Sequence, residues 1–288
     1  MMAVFQREIN AYFKGIMGYL FAAFLLVFAG IYTMAYNLSG YYANFEYVLS
    51  SISFIYLIAV PILTMRSVAE EKRQKTDQLL YSLPIRLSDV ILGKYLAMLV
   101  VLAAPTVVMG LYPLVLARFG DVSFGMAYGT LLAFFLLGAC LMSIGLFVSS
   151  VTESQIAAAV ITLVVTLILY FLSALSSFVS SAASASLLAL CIGVVIFAII
   201  LYLLAKNPIV SFLAALLGIG GLYLWYGNDS TAFAGLFGKI MNQFSVFDRF
   251  YTFVDGVFDM TAVVYYVSIA CVFLFLSVQA MEKRRWSE

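Results

Sequence analysis

Within residues 66–77, RSVAEEKRQKTD, seven of twelve residues are charged, in a chain of 288 that has only 29 Lys, Arg, Asp and Glu in all. The adjacent acids Glu70 and Glu71 could in principle serve as an acid and base pair or hold a metal, but the chain has no histidine. That removes the commonest metal ligand and the usual general base, and with them a glutamate-type intramembrane protease. Cys140, Cys191 and Cys271 are far apart and fall in apolar stretches, which argues against a disulfide framework or a zinc site. Gly-Lys pairs occur in LFGKI and LGKY, but without the upstream glycine spacing and following hydroxyl of a phosphate-binding loop, so this chain is not expected to bind ATP that way. No catalytic residue is predicted, no cofactor in this chain, no metal and no nucleic-acid partner.

The elements that hold this segment are read from hydropathy. The chain is 65% hydrophobic and 10% charged, with mean hydropathy +1.09, against roughly 25% charged for an average soluble domain. Charge-free runs cover 15–45, 47–65, 95–117, 122–152, 154–205, 207–228 and 260–281, and a bilayer core needs about 20 apolar residues per helix. The polar tract at 176–186 divides the longest run in two. Eight spans are predicted, at about 16–37, 47–65, 94–117, 125–149, 155–175, 187–205, 208–226 and 261–281. The first run is as long as a full span and lacks a small-residue cleavage site, so it is predicted to be a retained helix. The fold class is an all-α polytopic membrane bundle forming one transmembrane domain over 1–288. These spans carry essentially no ionisable groups, which argues against a proton- or ion-coupled carrier.

With the N-terminus inside, twelve Lys and Arg fall on one face and three (Arg118, Lys239 and Arg249) on the other, which predicts both termini inside. Residues 1–15, with Ile16, place Phe5, Ile9, Tyr12, Phe13 and Ile16 on one side of a helix with Arg7, Asn10 and Lys14 opposite, the pattern of an interfacial amphipathic helix. It can be a topology anchor or a docking element. Pro61 is expected to bend the second span. In the charged segment, Glu70 with Arg73 and Glu71 with Lys75 are spaced to pair along a helix. Thr76 and Asp77 can cap a second short helix over 78–83, and Ser88 the entry to the third span, near Gly93. Apolar residues such as Val68 and Leu79 need a covering surface, either the membrane interface or a soluble partner. Residues 227–260 read as outer amphipathic helices before the last span.

The segments REINAYFKGIMGYLFAAFLLVFAGIY, PILTMRSVAEEKRQKTDQLLYSLPIRLSDVILGKYLA, LFVSSVTESQIAAA and FVDGVFDMTAVVYYVS resemble the permease subunit of ABC-2 type transporters. The resemblance is nearest to the gliding-motility-associated and nitrous-oxide-reductase-maturation branch. It implies a permease, expected to be an exporter in a bacterial plasma membrane. Its partners would be two copies of an ATP-binding subunit carrying ATP and magnesium, a second permease chain (the same or a paralogue) and membrane lipids. It further implies that 66–93 is a cytoplasmic coupling segment seated on the ATP-binding subunit. Arg66, Glu70, Glu71, Lys72, Arg73, Thr76 and Asp77 would form the coupling body, Arg7 and Glu8 the connecting helix, and Glu153 a second cytoplasmic contact. A solvated loop obeying the positive-inside rule is the competing reading, but such a loop has no use for Glu70, Glu71 and Asp77. Branch members usually have six spans, so 187–226 is an additional pair, and a common Gly-Thr pair reads Lys75-Thr76 here. A scaffold, or a secondary transporter without an ATPase, is the alternative function.

Overall fold

The computed structural model describes residues 1–76, 86–178, 182–205, 208–229 and 231–287. Asp77 and the predicted short helix at 78–83 lie outside these residues. Every regular element among the described residues is helical. They run α1 (Met2–Lys14), α2 (Ile16–Thr33), α3 (Phe45–Ile52), α4 (Tyr56–Thr64), α5 (Ala69–Arg73), α6 (Leu87–Met109), α7 (Tyr112–Leu116), α8 (Phe124–Val151), α9 (Gln155–Phe178), α10 (Ala183–Ala205), α11 (Pro208–Asn228), α12 (Leu236–Phe244), α13 (Val246–Val254) and α14 (Met260–Ser287).

Among the described residues, six helical stretches are long and apolar enough to cross a membrane: Ile16–Leu38, Phe45–Arg73, Leu87–Leu116, Phe124–Val151, Gln155–Ser176 and Met260–Arg285. The predicted count was about eight. The two further stretches exist as helices, α10 of 23 residues and α11 of 21, of which Ala183–Val195 ranks only as a shorter apolar helix. The chain divides into two compact units, one of residues 1–170 and 246–288, the other of 171–245.

In the first unit α8 is the axle: 78% of its apolar stretch is buried, against 22% for those of α2 and α14. Glycine lets its neighbours approach. A Cβ on Gly145 would lie 2.4 Å from Thr64 Oγ1 in α4, and one on Gly138 would lie 2.8 Å from the Tyr56 hydroxyl. Polar groups in this apolar core find partners: Tyr56 donates to the Phe134 carbonyl (3.0 Å) and Tyr95 to the Ala139 carbonyl (3.1 Å), as burial requires. The second span breaks at Ser53–Ile55, a short tighter turn where the Ser53 hydroxyl bonds back to the Ser50 carbonyl. The helix runs on through Pro61, so the irregularity comes earlier than the proline suggested.

At one end α1 lies across the start of α6. Gly93 makes the crossing possible, because a Cβ there would stand 3.2 Å from the Phe5 nitrogen and Val4 Cβ. This packing corrects the predicted start of the third helix. It begins at Leu87 with Arg86 at the N-cap position, so Ser88 lies within its first turn and does not cap it. At the other end α13 closes the unit, with Thr130 donating to the Phe253 carbonyl and Tyr266 to that of Val246.

In the second unit α10 and α11 pack on each other where Gly218 meets the Val194 side chain. Phe233 is buried against the rings of Trp225 and Tyr226. The predicted amphipathic helices of 227–260 are α12, in this unit, and α13, in the first.

Candidate functional site

A five-residue helix such as α5 is unstable alone, because nucleation is not repaid over so few bonds. Its neighbours supply the missing support. The amides of Val68 and Ala69 at its start donate to the Ser149 hydroxyl of α8, at 3.1 and 3.0 Å. No side chain of its own caps α5, so Ser149 acts as an N-cap from another helix. Lys72, buried, returns the favour by donating to the Ser150 carbonyl in the last turn of α8, where a cation also suits the helix dipole. At its far end Lys75 adopts φ +56. The Lys75 amide bonds to the Lys72 carbonyl and the Thr76 amide to that of Glu71, the double bond pattern that ends helices on a left-handed residue. Lys75 therefore occupies the position where the resemblance led one to expect glycine.

Four charges close into a ring beside this helix. Arg7 meets Glu8 at 2.8 Å and Glu71 at 2.5 Å, and Lys94 meets both acids at 3.0 Å. The third donor of Lys94 goes to the Ser67 carbonyl at 2.7 Å, so its ammonium is fully satisfied. The Lys94 side chain is 1% exposed, whereas Arg7 is 52% exposed. Burial opposes ionisation of Glu8, but the charge of Lys94 and the hydrogen bond from Arg7 outweigh it and hold its carboxyl below the ordinary range. Burial likewise works against the Arg7 charge, and Glu8 and Glu71 more than offset it, raising its pKa. Tyr12 lies buried next to these acids, and burial followed by their charge pushes its phenol up. The ring binds α1, α5 and α6 to one another.

The structure thus sorts the predicted site residues into two sets. Arg7, Glu8, Glu71 and Lys72 spend their charge on contacts within the chain. Arg66, Arg73 and Lys75 are exposed, and Glu70 is partly so. Glu70 pairs with Arg66 at 3.9 Å and accepts from Gln74 at 3.2 Å, while Glu71 turns to Arg7 and Lys94, unlike the pairing along the helix that spacing suggested. Thr76 donates to the Glu71 carbonyl. Glu153, exposed between α8 and α9, accepts from Arg284 of α14 at 2.7 Å. N- and C-terminal segments and the charged segment accordingly gather at one end of this unit.

Sequence reasoning missed Lys94, Ser149 and Ser150. The signal was present in part: a lysine flanked by apolar residues in VILGKYLA, and a serine pair closing an apolar run in FVSSV. It also held the spans nearly free of ionisable groups, whereas Lys94 in α6 and Glu46 at the start of α3 are both buried. Glu46 accepts from Asn44 Nδ2 at 2.6 Å.

Residues 4–218, well over half of the chain, match the ABC-2 family transporter protein family. The chain belongs to that family. The match takes in the charged segment, the ring and α10, and it ends inside α11. No curated protein gives a significant match. An ABC-2 member with these helices is a multi-pass membrane protein and the permease component of an ABC transporter. Permeases of the family normally work with an ATP-binding subunit and carry no catalytic activity of their own.

Proposed function

We propose that this ABC-2 permease is the membrane half of an ATP-driven exporter, with α5 and the residues around it as the seat of the ATP-binding subunit. The observation that carries this reading is the division of charge on and around α5: Lys72 and Glu71 fix it inward, while Arg73 and the flanking Arg66 and Lys75 are exposed. A short helix braced at both ends against α1, α6 and α8 is built to bear load. An exposed charged face confers register and partner selection more than affinity. ATP-driven closure of two ATP-binding subunits would push this seat, and the push would reach the inner ends of α6 and α8 together with α4. The path for substrate would open between this chain and a second permease. The two-state element is the bundle, biased by the docked subunit.

In this reading ATP and magnesium are held by the partner, and the membrane is a bacterial plasma membrane, as the gliding-motility and nitrous-oxide-maturation resemblance suggests. Arg66, Glu70 and Arg73 form the docking face, and Glu153 adds a lesser contact. Arg7, Glu8, Glu71 and Lys72 position that face from behind. Reversing charge at the exposed pair (Arg66→Glu with Arg73→Glu) should abolish co-purification with the ATP-binding subunit and leave the melting temperature of the permease unchanged. Unaltered co-purification would count against the docking role.

A further inference from the structure

A cleft of about 250 Å³ runs between α2 and α4, lined by Met17, Leu20, Phe21 and Phe24 on one side and Ile58, Ala59, Ile62 and Leu63 on the other. Phe21, Ala59 and Leu63 are its buried floor, and Leu20, Ile58 and Ile62 its half-exposed rim. The small Ala59 gives it depth. From Met17 to Phe24 it extends about 10 Å along α2, from the α1 end of the unit towards mid-bundle.

The mouth of the cleft has a sign. Lys14, three residues before Met17, ends α1, and Arg66 follows Leu63 by three residues; both are exposed. An edge-to-face contact between Phe13 and Tyr19 at 5.9 Å fixes the corner from which Lys14 projects. Arg66 also pairs with Glu70 at 3.9 Å. Two exposed cations, each three residues from the Met17 and Leu63 end of an apolar slot, complement a molecule with an anionic head and a hydrocarbon tail.

We propose that this cleft binds one anionic phospholipid of the leaflet on the α1 side, with an acyl chain in the slot and its phosphate on Lys14 and Arg66. The lipid would wedge α2 against α4 beside the charged segment. This site shares only Arg66 with the proposed docking face.

The test uses the purified full-length chain in detergent, given phosphatidylglycerol or phosphatidylcholine with the same acyl chains, with retained lipid read by native mass spectrometry. A cation beside an anionic headgroup contributes about fivefold, so with two cations a preference for phosphatidylglycerol on the order of twenty-fivefold is expected. Lys14→Gln with Arg66→Gln should erase the preference while tail binding persists. Ile62→Trp, a rim change that fills the slot without touching the floor, should lower retention of both lipids. Equal retention of the two lipids by the unaltered chain, or a preference that survives the double substitution, overturns the proposal. So does a loss of dimer on Ile62→Trp with lipid retention unchanged, which would assign the cleft to a second copy of the chain. Because the permease is tested alone, a negative result leaves the docking reading standing.

Discussion

Lys94 carries more of the local structure than any other charged side chain at this end of the molecule. Three acceptors saturate it, and two of them are carboxylates that are themselves largely withdrawn from water. Replacing one member of a buried charge set leaves the others uncompensated, a loss of about 3 kcal/mol or more. Lys94→Met should therefore lower the melting temperature in detergent far more than Arg73→Met, an exposed substitution. The Glu8 part of this stabilisation has a pH window. Its folded pKa lies below its ordinary value of 4.5, so the contribution is complete above that value and is lost as pH falls through the lower, folded pKa. The gap between the unaltered chain and Lys94→Met should narrow on acidification below about pH 4.5, as read from melting curves. Lys75 bears the opposite sign of effect. A non-glycine residue in the left-handed region costs about 1 kcal/mol, so Lys75→Gly should raise stability by up to that amount, with hydrogen exchange at the Thr76 amide slowing.

At the scale of elements, α5 and the end of α8 cap each other, one through Ser149 and the other through Lys72. Ser149→Ala removes the shared acceptor of two amides and should cost about 1 kcal/mol. Exchange should quicken selectively at Val68 and Ala69. The helices themselves were legible in the sequence because bilayer-length apolar runs leave little choice, and α1, α12 and α13 were legible from their 3.6-residue patterning. Their joints were not. The break at Ser53–Ile55 depends on a serine bonding to its own backbone, and the early start of α6 on α1 crossing over Gly93; neither has a periodic signature. The same holds for the site. Charge density marked 66–77 correctly as unusual, yet which of two adjacent acids faces inward is decided by where Lys94 lies, 23 residues further on. Spacing along α5 favoured Glu71 with Lys75, and a buried cation on another helix won.

For the whole molecule, the ring and the reciprocal caps join α1, α5, α6 and α8 at one end, and Arg284 with Glu153 brings the end of α14 to the loop between α8 and α9. Force applied to the exposed face of α5 would then be shared among several helices. That is the property a coupling seat needs, and a solvated topology loop does not require it. The most direct test is site-specific photo-crosslinking from Arg73, replaced by a photoreactive residue, in native membranes, with the adducts identified by mass spectrometry. The account predicts an adduct with a P-loop ATP-binding subunit that is lost when Arg66 is reversed to Glu. Adducts confined to lipid, or an ATPase adduct that forms equally well from Tyr41, exposed in the turn between α2 and α3 at the opposite end of the bundle, would contradict it.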